Sequence, residues 1–355
     1  HDAAIAIDMP NGSRTLILRE IELDRARQHA RADDVFGYSD FTPEDGLSGD
    51  RETAAAQSTA ECLLRNGITT VIADRTLPLI YADAIQSAGI SLELDREMGV
   101  IDRRVKDAKE VAHLRKAQEG TEKVMRMACE TVANAEADEA GVLHVDGTAL
   151  TSESMRTMID SFLLELNFFN PSSIVAGGSD GGDCHHLGFG ELHTCQPIII
   201  DIFPLDKSSM YNGDCTRTVV HGTIPEEVAK MHEAVVAAKE AATAAVKAGV
   251  TGESIHFETI RVLTEHGYCE GLPTENDPPT HCSMPHGTGH GIGLDVHEPP
   301  LLDRNGPTLL VGDVITIEPG LYSHAVGGVR VEDMVLVTDE GYENFNTLPQ
   351  GLTWS

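Results

Sequence analysis

Cationic residues are scarce in this 355-residue chain: Lys and Arg number 26 against 57 Asp and Glu, a formal charge of −31. A surface that acidic repels phosphate backbones and anionic lipid, which argues against nucleic acid and membrane surfaces as partners. It fits a very soluble protein, one adapted to salt. No apolar run approaches the roughly 20 residues that a membrane-spanning helix needs. The opening HDAAIAIDMP also lacks the basic-then-apolar pattern of a secretory signal. No initiator Met is present, which suggests a trimmed N-terminus and leaves room for a removed targeting segment. The seven cysteines are odd in number and form no C-x-x-C pair, so neither a disulfide framework nor a zinc ribbon is indicated. A reducing cytoplasm is the expected setting. Cys184 and Cys215, beside His185 and Asp214, read as small packed residues.

A chain this long exceeds what one core usually serves, so two domains are expected. Residues 1–103 alternate short apolar runs (TLILREI, TTVIAD) with helical stretches closed by glycine, a small α/β domain without a glycine-rich phosphate loop. Near residue 103 the text changes to a long charged helical pattern, RRVKDAKEVAHLRKAQEGTEKVMRMACETVANAE, and the second domain, 104–355, begins there. In it LHVDGTALT reads as a hairpin around Asp146-Gly147, and TSESMRTMIDSFLLEL as a capped amphipathic helix. SSIVAGG, QPIIIDIF and CTRTVVHG read as strands. Two further helices and the strands DVITIEPG and VRVEDMVLVT follow, an α+β order of two similar halves.

Five residues of metal-ligating type stand in short motifs of this second domain. They are Asp201 and Asp214 in DIFPLDKSSMYNGDCTRT, His290 in HGTGHGIGLDVHEPP, Glu318 in TIEPGLY and Glu332 in GVRVEDM. A hairpin closing symmetrically would put Asp201 opposite Asp214 with Cβ atoms about 5 Å apart. Carboxylates that close repel unless one is protonated or both bind a cation. Arg330 and Glu332 are two apart in a strand and share a face, as do Val314, Thr316 and Glu318. His281, His286, His290 and His297 are threaded with Gly287, Gly289, Gly291 and Gly293, which permit close backbone approach and positive φ. The glycines forbid a helical zincin pair at His286 and His290, and no H-E-x-x-H is present. His281 is expected to be structural only.

Four gathered carboxylates without metal would cost far too much in a partly buried cleft. Two divalent ions would cancel that charge, activate a water and polarise a carbonyl. A hard, thiol-free donor set suits Mn²⁺, with Co²⁺, Zn²⁺ or Fe²⁺ as alternatives.

At these residues the sequence resembles the M24 metallopeptidase family, which includes aminopeptidase P, prolidase and methionine aminopeptidase and has the pita-bread fold. The match covers roughly 105–350, and residues 1–103 look like the creatinase-type N-terminal domain of the proline-specific members. The resemblance implies that Asp201 chelates one metal, that His290 and Glu318 bind the other, and that Asp214 and Glu332 bridge both. It also implies manganese, a homodimer whose N-terminal domain caps a neighbouring site, and Glu318 as proton shuttle. His185, favoured over His186 in GGDCHHLGFGEL, and His297 would be catalytic, with His286 and Arg330 lining the substrate site. The expected activity is that of an Xaa-Pro aminopeptidase acting on proline-containing peptides. The alternatives are a prolidase restricted to Xaa-Pro dipeptides, another amide or ester hydrolase, and a non-catalytic pita-bread binding protein, which usually loses ligands. Two departures bear on substrate preference. The Asp pair stands thirteen apart, two wider than the commoner family spacing, and DIFP replaces Asp-x-Gly. The intact ligand set argues against a metal-free creatinase.

Overall fold

A computed structural model describes residues 3–354. The chain divides into two compact units, one ending at Ile101 and one starting at Asp102. Among the described residues no helix is long and apolar enough to cross a membrane.

In the first unit, strands Ile5–Asp8 and Arg14–Leu18 pair antiparallel, and Asp34–Gly37 joins Arg14–Leu18 in parallel. A second, parallel pair is formed by Thr70–Ala73 and Ser91–Leu94. Helix Arg51–Arg65 starts where Asp50 accepts the Thr53 N–H at 2.8 Å, which satisfies one of the free donors of a helix N-terminus. Its alanine face packs with Ile17, Tyr38 and Phe41 in the core of this unit.

The second unit opens with helix Ala108–Ala133, capped reciprocally by Asp107 and Glu110. Leu114, Ala117, Thr121, Val124, Met125, Ala128 and Val132 recur at three- and four-residue steps and are buried, so one stripe of this helix faces the core. Asp146 and Gly147 both have positive φ, as a two-residue hairpin turn requires. Helix Ser152–Glu165 starts at the Thr151 cap. Strands Ser173–Gly177, Pro197–Ile202 and Cys215–Val220 form an antiparallel sheet against these helices. Every residue of the latter two strands is buried; Pro197–Ile202 is apolar except for Asp201, whereas Cys215–Val220 buries Thr216, Arg217 and Thr218 beside its apolar residues.

Helices Glu226–Ala245 and Gly252–Glu265 follow, packed on each other and on two further sheets. One sheet orders Glu298–Leu302, Gly289–Gly291, Val314–Ile317, Asp333–Val337 and Tyr342–Asn344. The other orders Cys269–Glu270, Ser283–Met284, Gly320–Ser323 and Gly327–Arg330. VRVEDMVLVT is therefore not one strand. It divides between Gly327–Arg330 and Asp333–Val337, which belong to different sheets, and Glu332 sits at the break.

The symmetric hairpin expected at the Asp pair also does not form. Ile202 faces Cys215 and Asp201 faces Thr216, so the register is two residues away from an Asp201–Asp214 pairing. The cause lies in the intervening segment: Leu205–Asp206 pairs with Phe168–Phe169, and Gly213 N–H bonds back to the Pro204 carbonyl. A shift of two preserves which face each side chain uses.

Candidate metal centre

Among the five candidate ligands, neighbours hold or confine the backbone at Asp214, His290 and Glu318. The Gln118 side chain, on the long helix, accepts from Asp214 N–H at 2.9 Å and donates to Asp214 C=O at 2.7 Å. His290 is the middle residue of Gly289–Gly291. A Cβ at Gly289 would lie 2.0 Å from the Thr316 carbonyl oxygen, and one at Gly291 would lie 2.3 Å from that of Pro299. Only glycine lets this strand pass between its neighbours. None of Gly287, Gly289, Gly291 or Gly293 has positive φ, so close approach is what these glycines supply. Glu318 follows strand Val314–Ile317; its N–H bonds the Thr288 carbonyl, and Thr316 Oγ1 donates to its Oε1 at 3.2 Å.

The side chains converge. Ligand atoms of Asp214, His290 and Glu332 all lie within 4.8 Å of one another. His290 Nε2 is 3.2 Å from Glu318 Oε1 and 3.8 Å from Asp214 Oδ2. Its other nitrogen, Nδ1, is 3.1 Å from the Gly291 carbonyl, which can only accept. Nδ1 thus carries the proton, and in the neutral ring a lone pair on Nε2 faces carboxylate oxygens. Asp201 is gripped at Oδ2 by Arg330 Nη2 at 2.7 Å, while its buried Oδ1 has no hydrogen-bond partner among the described residues. Acceptors aimed at acceptors, with an orphaned buried oxygen, are what a divalent cation fits.

The electrostatics of the site agree. Burial pushes the Asp214 carboxyl well above its ordinary range, and Glu332, Asp201 and Glu318 push it further. Glu332 is raised by burial and by Glu318 and Asp201, and Asp201 is raised by burial against the pull of Arg330. At Glu318 burial is outweighed by the His290 hydrogen bond and charge, which hold it down to about 2. Without cations the cluster concentrates negative charge beside His290 and drives protons onto Asp214 and Glu332.

A cavity of about 530 Å³ opens onto this cluster. His185, His286, His297 and Arg330 all line it, with Ile174, Leu187, Phe203 and Leu301 as apolar walls. Phe203, from the unusual DIFP, is therefore a wall residue. His297 stacks edge-on to His290 at 4.2 Å between ring centres. Arg330 donates to the Tyr322 hydroxyl oxygen at 2.8 Å, which leaves the Tyr322 proton for His286 Nε2 at 2.9 Å. His286 Nδ1 then donates to the Gly287 carbonyl at 2.7 Å. His186 is engaged elsewhere: its Nδ1 accepts the Gly188 N–H at 3.1 Å, and its ring meets Phe189 edge-on. His281 lies outside the cavity lining, beside Asp277 and Cys269. All seven cysteines are free. Cys215 is buried, and burial raises its thiol well above the usual range; Cys184 is half-buried in the cavity wall and also raised.

Three supporting residues were not singled out in the sequence, although two of them, Thr216 and Tyr322, lie inside the ligand motifs. Thr216, opposite Asp201, donates to Glu332 Oε2 at 2.8 Å and accepts from Arg330 Nε at 3.2 Å. Gln118 and Tyr322 are the others. Gln118 lies outside those motifs and left only the trace of a polar residue beside the apolar stripe of its helix.

Residues 112–339 match Metallopeptidase family M24. An Xaa-Pro dipeptidase of Pyrococcus horikoshii is 27% identical over 279 residues, 78% of this chain and 72% of that protein. Among solved structures, an Xaa-Pro dipeptidase from Bacillus anthracis superposes with a TM-score of 0.80 at 21% identity, covering 100% of this chain and 90% of the other. An X-Pro aminopeptidase from Thermotoga maritima gives 0.77 at 23%, covering 99% and 90%. At such identities the two structures establish the fold, the α+β pita-bread architecture.

Proposed function

The chain belongs to metallopeptidase family M24, and on that premise we propose that it is an Xaa-Pro aminopeptidase, releasing the N-terminal residue that precedes proline in peptides. The observation that carries this reading is the set of acceptors facing one another around His290 Nε2 at the floor of a cavity.

Asp201, Asp214, His290, Glu318 and Glu332 would hold two divalent cations, Asp214 and Glu332 being shared, and the oxygen-rich set favours manganese. When bound, the ions lower the pKa of a water and polarise the peptide carbonyl. Glu318 takes the proton of the attacking water and hands it to the prolyl nitrogen, which is a tertiary amide and must be protonated to leave. His185 and His297, on the cavity wall, donate hydrogen bonds to the oxygen on which charge develops. His286, oriented by Tyr322, borders the prolyl side.

The surroundings of Arg330 support the longer-peptide reading. Among the described residues Arg330 supplies the only guanidinium or ammonium group in the cavity lining, and it is engaged with Asp201, Tyr322, Thr216 and the Cys184 carbonyl. A dipeptide's free carboxylate would meet no uncommitted Arg or Lys there, which favours longer peptides. A dipeptide-restricted activity is the second reading, supported by relatives named as dipeptidases. Assays of an Xaa-Pro-Yaa tripeptide beside the Xaa-Pro dipeptide test both, with bound metal counted. Turnover of the dipeptide alone would replace the aminopeptidase reading; a metal-free, inactive protein would reject both.

A further inference from the structure

Just ahead of the long helix lies a stretch that contributes none of the candidate ligands, Arg103 to Lys106. Its bases nevertheless end at two sides of the site. Lys106 Nζ is 2.5 Å from Glu298 Oε1, and both side chains are only 2% exposed. Arg103 donates to the other oxygen, Oε2, at 2.5 Å and to Asp295 at 2.9 Å. Arg104 pairs at two points with Asp313, at 2.9 and 2.7 Å, and donates to the Thr308 carbonyl. Glu298 directly follows His297. Asp313 directly precedes the strand that leads to Glu318.

His297 itself has no hydrogen-bond partner among the described residues, and it is exposed. Apart from its edge-on contact with the His290 ring, its aim is therefore set by the backbone on either side. The turn before it is built around Glu298: a Cβ at Gly293 would lie 2.5 Å from the Glu298 carboxylate, and Asn212 bonds the Gly293 carbonyl from outside. Burying one carboxylate with an ammonium costs desolvation that apolar side chains of similar size would avoid. What the ion pair supplies and a methyl group does not is a directed, two-oxygen anchor.

We propose that Lys106 and Arg103 are positioning residues for His297. By holding both oxygens of Glu298 they fix the backbone that presents the imidazole to the cavity. Arg104 ties the same stretch to Asp313, so that His297 and Glu318 keep a set separation. This rests on the catalytic role proposed above for His297.

The test is a double-mutant cycle on an Xaa-Pro tripeptide, with bound metal and melting temperature measured for each variant. Lys106→Met should lower kcat by about tenfold to a hundredfold, with KM and metal content little changed, and Lys106→Arg should recover most of the loss. In the His297→Ala background Lys106→Met should cost little more, because the group it aims is gone. The same factor in both backgrounds, or a native kcat in Lys106→Met, overturns the positioning role while leaving the site intact. A native kcat in His297→Ala overturns the role of His297 and this proposal with it. Arg103→Met leaves Glu298 paired with Lys106 and goes through the same cycle if Lys106→Met does not fold.

Discussion

Arg330 and Asp201 are joined at 2.7 Å through one carboxylate oxygen, and the other oxygen is buried without a hydrogen-bond partner among the described residues. The guanidinium holds one oxygen and leaves the other unengaged, on a side chain that lines the same cavity as the other candidate ligands. It is also one of the forces that oppose the rise of the Asp201 pKa in a buried site, so it favours the ionised form against burial.

Arg330→Met is accordingly expected to weaken metal binding by about ten- to a hundredfold, as loss of a partner that orients a ligand does. Titration of the metal-free variant with Mn²⁺ by calorimetry measures this directly. Affinity equal to that of the parent would mean that Asp201 needs no such orientation.

Asp214→Asn removes one of the crowded negative charges while keeping shape. Without metal, this variant should melt at a higher temperature than the parent, because burial and three neighbouring carboxylates oppose Asp214 ionisation. With excess Mn²⁺ the order should reverse, since only the parent gains binding energy. Differential scanning calorimetry of both proteins, chelated and loaded, gives the four melting points needed. A parent that melts higher in both states contradicts the charge argument.

Beneath Glu332, Arg217 Nη2 lies 2.8 Å from Asp333 Oδ1 and Lys239 meets the other oxygen. Arg217 also donates to the Glu332 carbonyl at 2.5 Å. Burial raises the Asp333 pKa, but the charges of Arg217 and Lys239 outweigh it, and the carboxyl is held below its ordinary 3.8. A depressed folded-state pKa means stability that is present above 3.8 and lost as pH falls through the folded value. Asp333→Asn should cost about 3–5 kcal/mol at neutral pH by leaving two cations under-paired. The gap between parent and variant urea midpoints should narrow only in the acid range below the normal carboxylate value. A gap constant down to that range would place the cost in packing.

The formal charge of −31 makes the folded state repel itself. Screening shortens from about 10 Å at 0.1 M salt to about 3 Å at 1 M. The melting temperature should therefore climb steadily between 0.1 and about 2 M KCl. A flat or falling curve, read by circular dichroism, would mean that surface repulsion is not a significant destabilising force here.

Local chemistry made several elements legible from the sequence. The Thr151 cap, the Asp146-Gly147 turn and the long charged helix depend on neighbours within a few residues, and each formed as read. The candidate ligands were legible for a related reason: acids and an imidazole framed by Gly and Pro announce themselves by type and spacing. The family assignment follows from those same motifs.

Contacts between distant parts of the chain were decided by tertiary packing. The facing of Asp201 and Thr216 depended on an outside strand, Phe168–Phe169, capturing the loop between the two acids. Gln118 reaches Asp214 across 96 residues, and Lys106 reaches Glu298 across 192. No periodicity or turn rule spans such separations. A buried polar side chain takes whichever partner the packing of distant elements brings within about 3 Å, so these pairings exist only once the sheets and helices have closed on one another.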